Sequence, residues 1–420
     1  MPFFSKMTLT NTRVTPGFYA TPLLLTTILF GAASLSAQPN DETITVTASR
    51  LPMDSLRSGS QITIITKADI DLQNPASLPD LLRGQPGLSI SQQSGTGGLT
   101  QVRMRGREAN HVLVLIDGVE ANDIGQGSEF NFSQFPVQQI ERIEIVHGAE
   151  SAIWGSDAIA GVIHIMTRSP DSQPSTNFLI SAGSDQTETI AIDTATVLGK
   201  TQLALGLSHF GTEGFNVSRQ GDERDGSKQR AAYIRTLTPL SNQWRLSSVL
   251  RLQQSQTDFD DVDYLVTGLP TDADFTTAHQ NWIGGLRLMS DQDHVQQSLS
   301  INFSQDRNTN RTYPNANTKT DSAKQQFNYQ ISRTADNTTW VGLLEYEKLR
   351  FEQRGPASFF GDPNQDQALT QLALGGEYRL DQNKWTGSLS FRVEDNSDFG
   401  AGHSLRGNTA YFLTERTKVY

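Results

Sequence analysis

The chain has 420 residues, a net charge of −11 and no cysteine. Its length exceeds one ordinary core, so two units are expected. The acidic balance argues against nucleic acid as a partner. The missing thiols exclude disulfides and thiolate metal sites. Mean hydropathy is negative, and no apolar run beyond residue 38 approaches the length of a membrane-spanning helix. A barrel with alternating apolar and polar faces would not register in such an average.

Residues 1–37 read as a secretory leader. Lys6 and Arg13 supply its positive region, and "FYATPLLLTTILFGAASLSA" supplies an apolar stretch ending in small residues. Ala37 is the expected last residue removed, although Leu35 is larger than the residue usual at that place. An anchoring helix is the weaker alternative, because the apolar core is short. Next comes "DETITVTASR", Asp41 to Arg50. Its Thr, Val and Ile favour an extended strand, yet it lies on a chain end, where order is usually poor. Such a segment is suited to adding a strand to another protein's sheet edge.

Residues 49–170 mix short strands, helices and turns into an α+β unit. "SGSQITIITKADI" predicts a strand over Ile62 to Thr66 running into a helix. "ASLPDLLRGQPGLSI" predicts a short amphipathic helix over Leu78 to Leu82, stopped at Gly84 and Pro86. "QVRMRG" and "HVLVLIDGVE" read as strands, the second apolar enough to be buried on both faces. Asp117-Gly118 is a hairpin turn signal. In "QIERIEIVHG", Ile143 and Ile145 oppose Arg142 and Glu144, and a last strand runs from Val162 to Met166. No nucleophile and base converge, so an enzyme has little to rest on. "GTGG" (Gly95 to Gly98) lacks the context of a nucleotide loop. His111, His147 and His164 lack metal-ligand spacing. Arg103, Arg105, Arg142 and Glu144 read either as solvated surface or as partners of a polar wall.

From 175 to 420 strand follows strand with period two. "WTGSLSFRVE" places Trp385, Leu389, Phe391 and Val393 opposite Thr386, Ser390, Arg392 and Glu394; "QLALGGEYRL" and "VQQSLSINFS" behave alike. A sandwich also alternates, so connection lengths decide. Short turns at 198–201, 240–243, 290–294, 335–338 and 381–384 alternate with long polar stretches near 212–227, 254–278, 306–322 and 354–366. That rhythm belongs to outer-membrane barrels. Trp244, Trp340 and Trp385 each follow a short turn, as an aromatic girdle would. About twelve strands are expected, closing to roughly 24 Å across, whereas a globule of about 130 residues is roughly 36 Å wide. About 22 strands would make room for it, so the chain is expected to be the front part of a longer barrel.

These residues resemble the TonB-dependent outer-membrane transporters, and within them the cobalamin (vitamin B12) receptors. The likeness rests on "ITKADI", "LPDLLRGQPGLSI", "VRMRG", "HVLVLIDGV", "SQFP" and "IERIEIVHGAESAIWGSDAIAGVIHI". It departs at His147-Gly148-Ala149, where the family usually has Arg-Gly-Pro, and at His164, where it usually has Asn. The resemblance implies an N-terminal α+β plug domain followed by an antiparallel transmembrane β-barrel. It implies a TonB box over 41–48, with Glu42, Thr43, Ile44, Thr45, Val46, Thr47 and Ala48 binding TonB. Plug loops carrying Ser94, Gly95, Thr96, Gly97, Leu99, Asn122, Ile124, Gln126 and Ser128 would touch ligand on the outer side. Acidic loops holding Asp222, Asp225, Asp260 and Asp261 would bind Ca²⁺, which favours clustered oxygens; Asn216 stands where those receptors have a ligating Asp. Solvated acidic loops are the plain alternative. The implied function is energised import of cobalamin or a related corrinoid by a lipid-embedded monomer of the Gram-negative outer membrane, exported through the Sec pathway. A siderophore receptor of the same fold is the nearest rival, and an adhesin or inactive truncated product is a further one.

Overall fold

The computed structural model describes residues 45–46, 53–54, 57–218, 221–263, 266–312, 317–357, 361–414 and 417–419. The leader, together with Glu42, Thr43, Ile44, Thr47 and Ala48 of the strand-prone opening, lies outside the described residues. Of that opening the backbone of β1 (Thr45–Val46) is described. It pairs antiparallel with β2 (Met53–Asp54), Thr45 opposite Asp54.

The plug builds from local signals. β3 (Gln61–Thr66) hands over directly to α1 (Lys67–Gln73). Thr66 caps that helix: Asp69 N donates to Thr66 Oγ1 at 3.3 Å, and Thr66 N donates to Asp69 Oδ2 at 2.9 Å, a reciprocal capping box. α2 (Leu78–Arg83) is capped by Ser77 and buries Leu78, Leu81 and Leu82. β4 (Leu88–Gln92) and β5 (Thr100–Met104) form a separate hairpin. The central sheet contains β6 (Val112–Ile116), β7 (Val119–Glu120), β8 (Ile140–His147) and β9 (Gly161–Thr167), in the order β3-β8-β9-β6-β7. β6 is buried on both faces. Val112, Val114 and Ile116 join the main core, while Leu113 and Leu115 join Val146 and Val162 beneath α3 (Ser151–Trp154). The turn into β7 has φ of 51° at Asp117 and 85° at Gly118, the left-handed pair that tight hairpins need.

The second part is one antiparallel sheet of thirteen sequential strands. These are β10 (Ser175–Ala182), β11 (Glu188–Leu198), β12 (Thr201–Phe215), β13 (Asp225–Pro239), β14 (Trp244–Val262), β15 (Pro270–Gln292) and β16 (Val295–Arg311). There follow β17 (Asn317–Ala335), β18 (Thr338–Arg354), β19 (Gln365–Asp381), β20 (Trp385–Asn396), β21 (Gly400–Thr414) and β22 (Thr417–Val419). Among the described residues β10 and β22 do not pair with each other, so the wall is an open sheet. Among them, too, no helix is long and apolar enough to cross a membrane.

The two faces of this wall differ in polarity. On β16, Leu299, Ile301 and Phe303 are exposed, while Ser300, Asn302 and Ser304 are buried against the plug. On β20, Leu389, Phe391 and Val393 face out, and Ser390 and Arg392 face in. Trp340 and Trp385 are exposed at the short-turn end, and Trp340 stacks on Tyr378 with ring centroids 4.5 Å apart. About nine to eleven tilted residues suffice to cross a bilayer, yet β15 has 23. The stretches 254–278 and 306–322, which read as loops in the sequence, are therefore largely paired arms. Only 263–269 and 312–316 separate their strands. There the residues on both faces are mostly polar or small, so the ladder continues without an apolar alternation to mark it.

Plug and wall share a core: Ile283 of β15 is fully buried among plug residues, with Val249 of β14 packed alongside. Around it the contact is polar. Arg251 of β14 donates to Gln139 Oε1 at 2.7 Å and lies 4.1 Å from the Phe135 ring centroid. Lys324 of β17 donates to Glu120 at 2.8 Å, and Arg235 of β13 lies 3.0 Å from Asp117. A polar wall does meet the plug, but not through all the charges considered for it. Arg103 bonds to Ser91, Gln101 and Glu108, and Arg105 bonds to Gln61, all within the plug.

Candidate functional site

On the side of the long arms, two plug loops rise against the wall. In the first, 93–99, Gly97 has φ +86°, and a Cβ there would lie 2.1 Å from Ser227 Oγ. Only glycine lets this loop approach so closely, and Thr257 Oγ1 then donates to Gly97 O at 3.3 Å. In the second, 121–135, Asn122 is a structural pin. Its Oδ1 accepts from Val114 N at 2.7 Å, and its Nδ2 donates to Val112 O and Ser128 O. Asn131 Oδ1 accepts from Thr100 N at 3.0 Å and Ser133 N at 3.2 Å, tying the two loops together.

Between loops and wall lies a cavity of about 250 Å³. Of the nine plug residues expected to meet ligand, Ser94, Leu99 and Gln126 line it. Gly95 and Gly97 turn instead toward Asp225 and Ser227 of the wall. Asn122 is buried, and Thr96, Ile124 and Ser128 are half-buried outside the lining. The sequence reading placed ligand on the 121–135 loop and the outer loops but named neither Asp123, Glu129 and Phe130 nor any wall-strand residue of the lining. β14 supplies Gln253, Thr257 and Phe259. β15 and β16 supply Thr277, His279 and Asn281 opposite Asn310, Asn308 and Asp306. Their spacing of two residues was the available signal: it marks one face of a strand.

At the floor, Asp123 of the plug meets His279 and Asp306 of the wall, one ligand atom from each lying within 4.8 Å of the others. His279 Nε2 is 3.0 Å from Asp306 Oδ1, which also accepts from Asn281 Nδ2 at 2.7 Å. Asp123 accepts from Asn308 Nδ2 at 2.8 Å, Ser322 Oγ at 2.7 Å and Gly125 N at 2.8 Å. Burial, reinforced by the facing Asp306, pushes the Asp123 carboxyl up to about 6.

A second acidic group lies at the outer ends of β13 to β15. Glu223, Asp260 and Asp272 each bring a carboxylate oxygen within 4.8 Å of the others. Asn216 Nδ2 donates to Asp272 at 2.9 Å, and Val217 N donates to the adjoining Asp225 at 2.8 Å. Glu223 Oε2, Asp225 Oδ1 and Asp260 Oδ2 are buried without a hydrogen-bond partner. Burial, then the neighbouring aspartates, pushes Glu223 up to about 7; burial foremost pushes Asp225 up to about 6. Converging carboxylate oxygens, one on each of three residues left without a hydrogen-bond partner, fit a hard cation. Asp260 belongs to the group and Asp225 adjoins it, but Asp222 and Asp261 are exposed and stand outside it. Glu223 and Asp272 stand with Asp260 in the group.

At the opposite, short-turn end, a second cavity of about 340 Å³ opens where residues 57–60 meet the wall. Glu150 accepts from Arg406 Nη2 at 2.8 Å and Ser60 Oγ at 3.2 Å. Arg57 pairs with Asp381 at 2.5 Å, and Lys418 Nζ donates to Ser58 O at 2.6 Å.

Comparison with known proteins agrees with this architecture. Residues 54–162 match the TonB-dependent Receptor Plug Domain family. Among solved structures, the chain is similar to the siderophore receptor PirA from Acinetobacter baumannii, at 18% identity and TM-score 0.69, over 86% of this chain and 60% of that one. It is similar to the ferric yersiniabactin uptake receptor FyuA from Yersinia pestis, at 14% identity and TM-score 0.65, over 85% and 63%. It is also similar to the ferric enterobactin receptor PfeA from Pseudomonas aeruginosa, at 15% identity and TM-score 0.70, over 90% and 62%. The chain thus spans about three fifths of the length of these structures. Its fold is a plug domain followed by an antiparallel barrel wall.

Proposed function

We propose that this chain, which carries a TonB-dependent receptor plug domain held against a barrel wall, serves TonB-driven import of a scarce solute across the outer membrane. One observation carries the reading: the matched plug is gripped from inside by wall side chains on every strand from β13 to β17, while a strand-prone box precedes it. TonB would add to the box over 41–48 as a strand and pull on the plug, residues 49–170. Ile44→Pro removes a backbone donor from that strand. Cells carrying it are expected to lose uptake while keeping ligand binding; normal uptake by the variant would exclude the box as the handle.

A ferric siderophore is the favoured cargo, because the similar structures include a siderophore receptor, a ferric yersiniabactin uptake receptor and a ferric enterobactin receptor. Corrinoid import, which the sequence resemblance favours, remains the second reading, supported by the acidic outer group. There Glu223, Asp260 and Asp272, with Asp225 adjoining, would hold Ca²⁺, which when bound would neutralise their charge and brace the arms. Titrating the purified protein with Ca²⁺ should protect residues 214–226 from proteolysis. Asp260→Asn should abolish that protection, and protection that survives the variant would exclude this set.

A further inference from the structure

The lining of the outer cavity has a one-sided chemistry. Among the described residues it includes three carboxylates, Asp123, Glu129 and Asp306, eight Asn or Gln side chains, and neither Lys nor Arg. Its floor carries the carboxylates of Asp123 and Asp306, held by neutral donors from Asn281, Asn308 and Ser322. If Nε2 of His279 carries the proton shared with Asp306, its buried Nδ1, which has no hydrogen-bond partner, presents a lone pair. Phe130 and Phe259 add apolar surface.

Positive charge exists on the neighbouring strands but not toward the cavity. Lys228 and Arg230 of β13 are exposed on the face opposite buried Ser227 and Gln229. Arg307 of β16 points away from its buried neighbours Asp306 and Asn308 and pairs with Asp321 at 2.6 Å. The buried Arg251 of β14 is engaged by Gln139 and the Phe135 ring. An anionic ligand would therefore lose its hydration against carboxylates with no cation to replace the water.

We propose that this cavity takes a ligand whose buried face is neutral or cationic and rich in N–H and O–H donors, and that it rejects polyanionic ferric complexes. The inference rests on the importer reading above and narrows its cargo. Within siderophores it selects cationic or neutral hydroxamate-type complexes over tris-catecholates, although a ferric enterobactin receptor is among the structures the chain resembles.

The test is equilibrium binding to the protein purified from outer membranes in detergent, followed by intrinsic tryptophan fluorescence. The probes are ferrioxamine B (a cationic ferric trihydroxamate), ferric enterobactin (a polyanionic tris-catecholate) and neutral cyanocobalamin. Ferrioxamine B is expected to bind at least about tenfold more tightly than ferric enterobactin, with affinity falling as salt rises. Asp306→Asn and Asp123→Asn, each close in shape to the native residue, should each shrink that ratio several-fold. Tighter binding of ferric enterobactin than of ferrioxamine B overturns the charge rule and leaves the siderophore reading standing. Binding of cyanocobalamin with neither ferric complex overturns the siderophore reading and supports the charge rule. A ratio unmoved by both Asn variants overturns the assignment to this cavity.

Discussion

Glu150 shows how one buried carboxyl can make the plug's seat depend on pH. Desolvation pushes it up to about 7 from an ordinary 4.5, and Arg406 offsets only part of that. The native state therefore holds its proton more tightly than the unfolded chain does. Glu150's contribution to stability is greatest below about pH 4.5 and declines as pH rises through 7, by at most about 3 kcal/mol. Glu150→Gln keeps the shape and cannot titrate. Thermal midpoints in detergent should fall between pH 5 and 7.5 in the native protein, and fall less in the variant. Equal slopes would mean that other groups set the dependence. Gly97 makes a different demand, for space. Gly97→Ala adds a Cβ 2.1 Å from Ser227 Oγ and costs about 1–2 kcal/mol in backbone strain alone. The loop must lift from β13, so proteolysis within 93–99 should quicken without loss of the barrel's resistance to heat in detergent.

The wall strands carry two different patterns along their length, and mutation should distinguish them. Ile301 sits in the exposed apolar band of β16, and Gln305 lies farther along the same outward face. Arginine at 301 should cost about 2–4 kcal/mol of folding into vesicles, and at 305 about 0–1, as lipid-face charges do with depth. Equal costs at both positions would place the bilayer elsewhere. This split also explains what the sequence revealed. Where the outward face is apolar, as in β16, β19 and β20, period two was plain and the strands fell where expected. In the outer arms Thr277, His279 and Asn281 alternate with Thr276, Ala278 and Gln280, polar or small on both faces, so paired backbone read as loop. In the plug, the helix start after the Ile62 to Thr66 strand and the Asp117-Gly118 turn were legible because each is a local signal. The ligand loops were legible as loops, but their inward residues were not. Asn122 looked available and is pinned within the plug, whereas Asp123 beside it reaches the wall. That choice is set by contacts nearly 200 positions apart, such as Asp123 with Ser322.

For the molecule as a whole, a pull on the opening segment must be transmitted before it can move the plug. β1 and β2 pair over only two residues each, and so short a ribbon offers little resistance. Tension then reaches residues 57–60, which clip to the last strands of the wall. Arg57 pairs with Asp381, but both side chains are more than a third exposed, so the pair contributes about 0–1 kcal/mol. Arg406 and Glu150 are far more enclosed, with side chains 16% and 3% exposed. Truncating one partner there strands a buried polar group and costs about 3–5 kcal/mol. The two clips should therefore fail in sequence, the outer one at low force and the Glu150 seat at high force. Pulling single molecules from the N-terminus in membranes should show a weak and then a strong unfolding step. Asp381→Asn should remove or soften the first alone. Arg406→Met should lower the second, and loss of both steps in either variant would mean that the plug leaves its seat as one unit.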